Sequence, residues 1–190
     1  MKKIVVMLCI TLFCLVQSVY ANQSNPRVQL KTNHGIITLE LDPQSASKTV
    51  ENFLRYARDG FYNGTIFHRV IKGFMIQGGG LTPDMREKPT RASITNEADN
   101  GLKNNRGTIA MARKADPHSA SSQFFINTSD NGFLDHKGKN SAGWGYCVFG
   151  KIVGGMNVVD TIENQGTTSK SGYDDVPLFQ VIIEQAVVEK

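Results

Sequence analysis

Residues 67–80 read FHRVIKGFMIQGGG, a stretch that places an arginine and a glutamine among apolar and aromatic residues. Its apolar segments predict short strands at 65–71 and 75–77, separated by Gly73. Burying a charge without a partner costs roughly several kcal/mol, so Arg69 needs an explanation. Two interpretations stay open: the arginine faces a ligand, or it points into water from an edge strand.

Segments of similar character lie on both sides of this stretch. Alternation of apolar and polar residues over 28–41, interrupted at Asn33-His34-Gly35, predicts a hairpin. A helix then follows, and after it more short segments, an order that excludes a parallel sheet of repeated βαβ units. Many short strands favour a closed antiparallel barrel, because closure removes exposed sheet edges. The further strands are expected at 108–112, 123–127, 148–152 and 181–187.

Two segments have helical spacing instead. The first lies before Gly60, with cap candidates Ser45 and Ser47, and its apolar positions i, i+3, i+4 and i+7 are Val50, Phe53, Leu54 and Ala57. The second is 156–163, after a pair of glycines. Long irregular connections are expected at 81–106, 136–145 and 164–177.

The first 21 residues have the features of a secretory signal peptide. Lys2-Lys3 form a basic start, 4–16 are apolar, and Val19-Tyr20-Ala21 is a small-residue cleavage pattern. An uncleaved membrane anchor is the alternative, but the apolar run is shorter than the roughly 18 residues that a spanning helix needs. Cleavage leaves one domain at 22–190, of 190 − 21 = 169 residues. Its expected compartment is the periplasm, with the exterior as the alternative.

Charge and cysteine content narrow the classes of partner and cofactor. Loss of Lys2 and Lys3 lowers the net charge from +4 to +2, and the other basic residues are scattered, which argues against nucleic acid. Cys147 is the one cysteine after residue 21, so we expect no internal disulfide and a buried, unreactive thiol. The four histidines lack metal-ligand spacing, and we expect neither metal nor cofactor.

Two other catalytic chemistries are disfavoured by their motifs. Serines at 119, 121 and 122 lie near His118, but no Gly-x-Ser-x-Gly pattern surrounds them. Glycines 78–80 lack the Lys-Ser/Thr ending of a phosphate-binding loop, so they are interpreted as a turn.

A second run, 121–127, reads SSQFFIN and complements the first. Alternation along a strand places Gln123 and Phe125 on one face and the residues between them on the other. Met75 and Gln77 share a face in the same way. Two strands that each present an apolar group beside an amide predict a binding groove.

With these runs the chain resembles the cyclophilin family of peptidyl-prolyl cis-trans isomerases. The resemblance extends from about Val28 to the last predicted strand, with its motifs in the family's order. It implies a mainly β fold, a closed eight-stranded antiparallel β-barrel with an α-helix at each end. The motifs that carry it are 67–71, 73–79, 107–112, 122–126, 134–135 and 148–151.

The resemblance also implies a set of site residues. Arg69 matches the catalytic arginine, Phe74, Met75, Phe125 and Leu134 match the wall of the proline pocket, and Gln77 and Gln123 match the amides beside it. Ala112 and Arg113 fall where the family contacts substrate through its backbone. The chain departs from the family pattern at three site positions: Phe133 replaces a tryptophan, Tyr146 a histidine and Arg113 an asparagine. The absence of the tryptophan predicts weak binding of cyclosporin. The loop at 136–145 is longer than in the family, and Trp144 is expected to pack within it.

The function implied is peptidyl-prolyl cis-trans isomerisation that assists folding of exported proteins. The expected partners are proline-containing polypeptides and unfolded exported proteins, with no nucleic acid and, after signal cleavage, no membrane. A monomer is expected. The alternative is a non-catalytic binder of proline-containing or unfolded segments in the same compartment, against which the presence of Arg69 argues.

Overall fold

The short alternating segments form the strands of one barrel in the computed structural model, which describes residues 25–189. The predicted signal peptide at 1–21 lies outside the described residues. All the predicted strands are present: the one at 65–71 matches at both ends, and the others differ from prediction by one or two residues at their ends. The barrel strands are β1 (Arg27–Thr32), β2 (Gly35–Leu41), β3 (Thr65–Ile71), β4 (Met75–Gly78), β5 (Thr108–Met111), β6 (Phe124–Asn127) and β7 (Val148–Gly154), with a last strand at Val181–Val188.

The strand order closes on itself. It runs from β1 through the last strand (Val181–Val188) to β3, β4, β6, β5, β7 and β2, and every pair is antiparallel. The predicted closed eight-stranded antiparallel barrel is therefore confirmed. Since β3 pairs on both sides, it is not an edge strand, and that part of the second interpretation was wrong.

Two helices pack on the barrel and complete its core. They are α1 (Ser47–Arg58), which contacts the last strand, and α2 (Met156–Glu163), which contacts β2 and β4. Phe53 of α1 enters the barrel, where its ring centroid lies 5.1 to 5.5 Å from those of Tyr62, Phe124 and Phe149. Buried aromatic pairs at such distances are favourable beyond the area they bury. This aromatic cluster in the barrel interior fixes β6 and β7, which carry Phe124 and Phe149.

The start of α1 is capped differently from prediction. Ser45 bonds to Asp42, and neither it nor Ser47 caps the helix. Instead the carboxylate of Glu97 accepts from the backbone N–H groups of Lys48 and Thr49, at 3.2 and 2.8 Å. A carboxylate at a helix N-terminus satisfies unpaired donors and complements the helix dipole. The prediction of a serine cap was wrong because this acceptor lies far along the chain.

The connection at 164–177 is not irregular, contrary to prediction. It forms a two-stranded hairpin of β8 (Thr167–Lys170) and β9 (Tyr173–Pro177). The last barrel strand, Val181–Val188, is therefore β10. The turn is Ser171-Gly172, and both residues have positive φ, at 53° and 81°. Two central residues with positive φ suit the twist of a tight hairpin. All four residues of β8 are exposed, so no apolar alternation marked it as a strand.

Candidate active site

An apolar cluster on the outer face of β4, β5, β6 and β7 forms one side of a surface cavity. Pairing of β4 with β6 sets Gln77 opposite Phe125, and alternation sends Phe124 and Ile126 into the barrel core. Met75 and Phe125 belong to a separate buried cluster with Ala110, Leu134 and Val148. The prediction that 123–127 presents one face to the core and the other to a pocket is confirmed.

The cavity has a volume of about 230 Å³. It combines the apolar cluster with cationic, amide and phenolic groups. Nine of the eleven predicted site residues line it: Arg69, Phe74, Met75, Gln77, Ala112, Arg113, Phe125, Leu134 and Tyr146. The two others, Gln123 and Phe133, lie beside it.

Gln123 and Phe133 adjoin the cavity on different sides. Gln77 Nε2 donates to Gln123 Oε1 at 2.9 Å, and Gln123 lines a neighbouring cavity of about 240 Å³ that also includes Gln77, Ala112 and Arg113. Phe133 is 64% exposed and stacks on Phe74, with ring centroids 5.5 Å apart. The structure therefore places Phe133 on the rim and Gln77 between the two cavities, with Gln123 lining the second one.

Arg69 is less buried than the sequence suggested. Its side chain is 43% exposed, and its Nε lies 3.4 Å from Asp175 Oδ2. Part of the charge is therefore compensated by water and part by a carboxylate of the β8–β9 hairpin. No sequence pattern indicated this partner, because the hairpin that carries it was not predicted.

Arg113 and Ala112 are held by contacts within the protein. Arg113 Nε donates to the Gly145 carbonyl at 3.0 Å, and its guanidinium lies 4.6 Å from the ring centroid of Tyr146. The Ala112 N–H donates to the Gln123 carbonyl at 3.0 Å. That N–H is therefore already used, and a backbone contact of Ala112 with a ligand would go through its carbonyl.

A buried set of amides supports the apolar wall from behind. Asn131 Nδ2 donates to the Phe74 carbonyl at 2.8 Å and to Asn127 Oδ1 at 2.7 Å. The backbone carbonyl of Asn131 accepts from the Leu134 N–H at 2.8 Å. The backbone N–H of Asn131 donates to the Asn104 carbonyl. These bonds fix the backbone of two wall residues. Sequence reasoning missed them, since asparagines between strands are ordinary loop residues.

The glycines at 79 and 80 are required by close packing. A Cβ on Gly79 would lie 2.6 Å from a ring carbon of Phe124, and one on Gly80 would lie 2.4 Å from Gln123 Cγ. Gly79 also has a φ of +80°. The interpretation of glycines 78–80 as a turn holds for Gly79 and Gly80, which lie in a bend, whereas Gly78 is the last residue of β4.

Two buried groups near the site have shifted pKa values. Burial, with a smaller effect of the Arg69 charge, lowers the pKa of His68 to about 4, although the nearby Ile66 backbone favours the protonated form. Burial raises the pKa of the Cys147 thiol to about 11, which a hydrogen bond with Thr49 partly offsets. Cys147 is a free, buried cysteine, as predicted. Neither group lines the cavity.

Two residues of the hydrolase alternative, His118 and Ser119, are engaged elsewhere. His118 Nδ1 accepts from the Asn96 N–H at 3.1 Å, and Ser119 Oγ donates to the Asp116 carbonyl at 2.6 Å. The Trp144 ring centroid lies 4.8 Å from that of His118 and 5.4 Å from that of His136, so the tryptophan packs the loop as expected. Within residues 25–189, no group of three or more His, Cys, Asp or Glu side chains is placed to hold a metal ion.

Comparisons with known proteins agree on one class, the peptidyl-prolyl cis-trans isomerases. The family described as "Cyclophilin type peptidyl-prolyl cis-trans isomerase/CLD" matches residues 27–188. The chain belongs to this cyclophilin family. It is accordingly an enzyme that accelerates rotation about X-Pro bonds, with proline-containing polypeptides as substrates.

Individual relatives support the assignment over nearly their whole length. The chain is 58% identical over 161 residues to peptidyl-prolyl cis-trans isomerase cyp18 of Streptomyces antibioticus, covering 85% of this chain and 97% of that protein. It is 55% identical over 163 residues to peptidyl-prolyl cis-trans isomerase B of Escherichia coli K12, covering 86% and 99%. A crystal structure of a cyclophilin-type isomerase from Cryptosporidium parvum superposes with a TM-score of 0.72 at 31% identity, covering 87% and 98%.

Proposed function

We propose that Arg69 stabilises the twisted prolyl amide during isomerisation while the apolar side of the cavity holds the proline ring. The observation that carries this proposal is that one cavity joins the Arg69 guanidinium to Phe74, Met75, Phe125 and Leu134. An apolar surface of this kind suits a saturated ring, and a fixed cation beside it suits a developing lone pair.

The reaction sets what the site has to supply. Rotation about an X-Pro bond is opposed by amide resonance with a barrier of about 18–20 kcal/mol, whereas the two planar forms differ by only about 0.5–1 kcal/mol. No covalent bond forms or breaks. The enzyme therefore needs to bind the twisted amide more tightly than either planar form.

Twisting localises a lone pair on the prolyl nitrogen, to which a guanidinium N–H can donate. A hydrogen bond to a charged group contributes about 1.5–3 kcal/mol, whereas a millionfold acceleration requires about 8 kcal/mol. Arg69 accordingly supplies a part of the effect. The rest comes from holding the ring still in the pocket while the acyl side rotates.

The polar side of the cavity holds that acyl side in this proposal. Gln77 and Gln123 are joined by a hydrogen bond and face the boundary between the two cavities. Ala112 and Arg113 contact the substrate backbone there, and Tyr146 and Phe133 complete the rim. Donors and acceptors that are already oriented cost no reorganisation during the reaction.

The test is a protease-coupled isomerisation assay on a proline tetrapeptide. We expect Arg69→Ala to lower kcat/KM by at least about tenfold, the low end for loss of such a hydrogen bond. Arg69→Lys keeps the charge but loses the rigid fork, so a loss is expected there as well.

Arg55→Ala is the matched control. Arg55 lies on the exposed face of α1, where it pairs with Glu51, and its loss is expected to leave the rate unchanged. A wild-type rate for Arg69→Ala would refute the role assigned to this residue.

We further propose that the enzyme acts on unfolded exported proteins as a monomer in the periplasm, without membrane attachment after cleavage at 21. The basic start and apolar run at the N-terminus support export. In the described range no helix is both long and apolar enough to cross a membrane. Fractionation of cells expressing the full chain, N-terminal sequencing and sedimentation analysis test these statements.

A further inference from the structure

The β8–β9 hairpin is fixed against the outside of β3, next to Arg69. Val176 of β9 is buried and packs in a cluster with Ile66 of β3 and Leu81. The Tyr173 ring, also on β9, has its centroid 6.0 Å from that of His68. β9 is therefore held to β3 on both sides of Asp175, and the position of Asp175 relative to the barrel is defined.

Asp175 occupies a β-bulge in this hairpin. Thr168 pairs with Val176 and Lys170 pairs with Tyr173, so Ser169 on β8 lies opposite two residues, Asp174 and Asp175, on β9. Asp175 has a φ of +59°, a left-handed conformation that disfavours most side chains but that aspartate and asparagine tolerate best. Bulges commonly redirect one side chain out of the regular alternation. Here the carboxylate of the bulged residue Asp175 contacts Arg69.

The carboxylate of Asp175 meets the guanidinium of Arg69 at one edge. Asp175 Oδ2 lies 3.4 Å from Arg69 Nε, with the two side chains 38% and 43% exposed. Contact at Nε leaves the two terminal nitrogens of the guanidinium available for a substrate. A long arginine side chain otherwise samples many rotamers, so an anionic partner at Nε reduces the freedom of the donors.

We propose that Asp175 is a positioning residue for isomerisation, which orients the Arg69 guanidinium over the cavity. This inference rests on the proposed role of Arg69 and adds a specific partner to it. The bulge and the left-handed backbone at Asp175 have a function in this view, since they bring the carboxylate to the arginine. Loss of the carboxylate is expected to reduce the fraction of enzyme in which the donors are correctly placed.

Two substitutions separate charge from backbone conformation. Asp175→Asn removes the charge but keeps the shape and the tolerance for positive φ, and Asp175→Gly removes the side chain and relieves the backbone. Asp174→Asn is the matched control, because Asp174 lies on the same bulge and accepts from the Ser169 hydroxyl at 2.6 Å. Thermal unfolding of each variant shows that the fold is kept.

Rates are measured at subsaturating and saturating peptide. Since the pair is partly exposed, we expect Asp175→Asn and Asp175→Gly to lower kcat about two- to fivefold with KM unchanged. The control Asp174→Asn is expected to retain the wild-type kcat. Unchanged kcat in both Asp175 variants would overturn the inference.

A double-mutant cycle distinguishes positioning from a merely structural effect. If Asp175 acts through Arg69, then Asp175→Asn has no further effect in an Arg69→Ala background. The same fractional loss in both backgrounds would show that Asp175 acts independently of Arg69 and would refute positioning. Failure of the proposed function gives a different result, in which Arg69→Ala alone keeps the wild-type rate.

Discussion

The buried histidine beside Arg69 makes the stability of the fold dependent on pH. His68 is 3% exposed, and its Nδ1 has no hydrogen-bond partner among the described residues. Burial lowers its pKa from 6.5 to about 4, so the folded protein holds the neutral imidazole. The unfolded chain takes up a proton near pH 6.5, whereas the folded chain resists protonation until about pH 4. Acidification therefore favours unfolding.

The size of the effect follows from this difference in pKa. The difference between the ordinary pKa of 6.5 and the folded value of about 4 corresponds to about 3 kcal/mol below pH 4, because each tenfold change in proton affinity is worth about 1.4 kcal/mol. The contribution is fully present above pH 6.5 and falls as the pH drops through this window. Between pH 7.5 and 5.0 the loss amounts to about 2 kcal/mol, a substantial share of the stability of a typical domain.

Urea unfolding at pH 7.5, 6.5, 5.5 and 5.0 measures this contribution. Carboxylates also begin to titrate at the acid end, so the wild type is compared with His68→Gln at each pH. We expect the free energy of unfolding to fall by about 2 kcal/mol more in the wild type than in the variant across this range. In parallel, the imidazole proton resonances of the folded wild type should titrate with a midpoint near pH 4. Equal pH dependence in the two proteins, or a midpoint near 6.5, would refute the reasoning.

Two further predictions concern groups behind the cavity wall and in the core. Asn131→Ala removes side-chain donors to the Phe74 carbonyl and to Asn127. We expect this variant to lower the free energy of unfolding by about 2 kcal/mol, measured by urea unfolding, and to raise KM, measured by the coupled assay. Unchanged values of both would contradict the role of Asn131 in supporting the apolar wall. Because burial raises the Cys147 pKa to about 11, a disulfide reagent at pH 8 should label the native thiol about a hundredfold more slowly than the unfolded thiol, and equal rates would show an accessible thiolate.

The parts of the fold that could be predicted are those set by local periodicity. Strands with one face in the barrel alternate visibly, as in β2, and α2 shows its apolar residues at helical spacing. The apolar wall could be predicted for the same reason, since Phe125 must point away from the core once Phe124 and Ile126 point into it. A period of two determines which side of a strand a residue occupies.

The features that sequence did not predict depend on partners distant in the chain. Glu97 caps α1 from 48 residues beyond Thr49, and no local pattern identifies such an acceptor. The β8–β9 hairpin lies outside the barrel, so its strands need no apolar alternation. Its turn, Ser171-Gly172, was the one available signal, because such a pair between strand-forming residues is typical of a tight hairpin.

The ion pair of Arg69 follows from the architecture of the site. The apolar wall needs no additional support, because Met75 and Phe125 lie on paired strands of a closed barrel and Leu134 is fixed through Asn131. The arginine is different, because its β3 backbone is fixed but its long side chain reaches half-exposed into the groove. Its one carboxylate partner among the described residues, Asp175, lies outside the barrel on the β8–β9 hairpin. In the proposed arrangement the bulged hairpin on β3 holds the arginine at Nε through Asp175, so the two terminal guanidinium nitrogens remain available for a substrate.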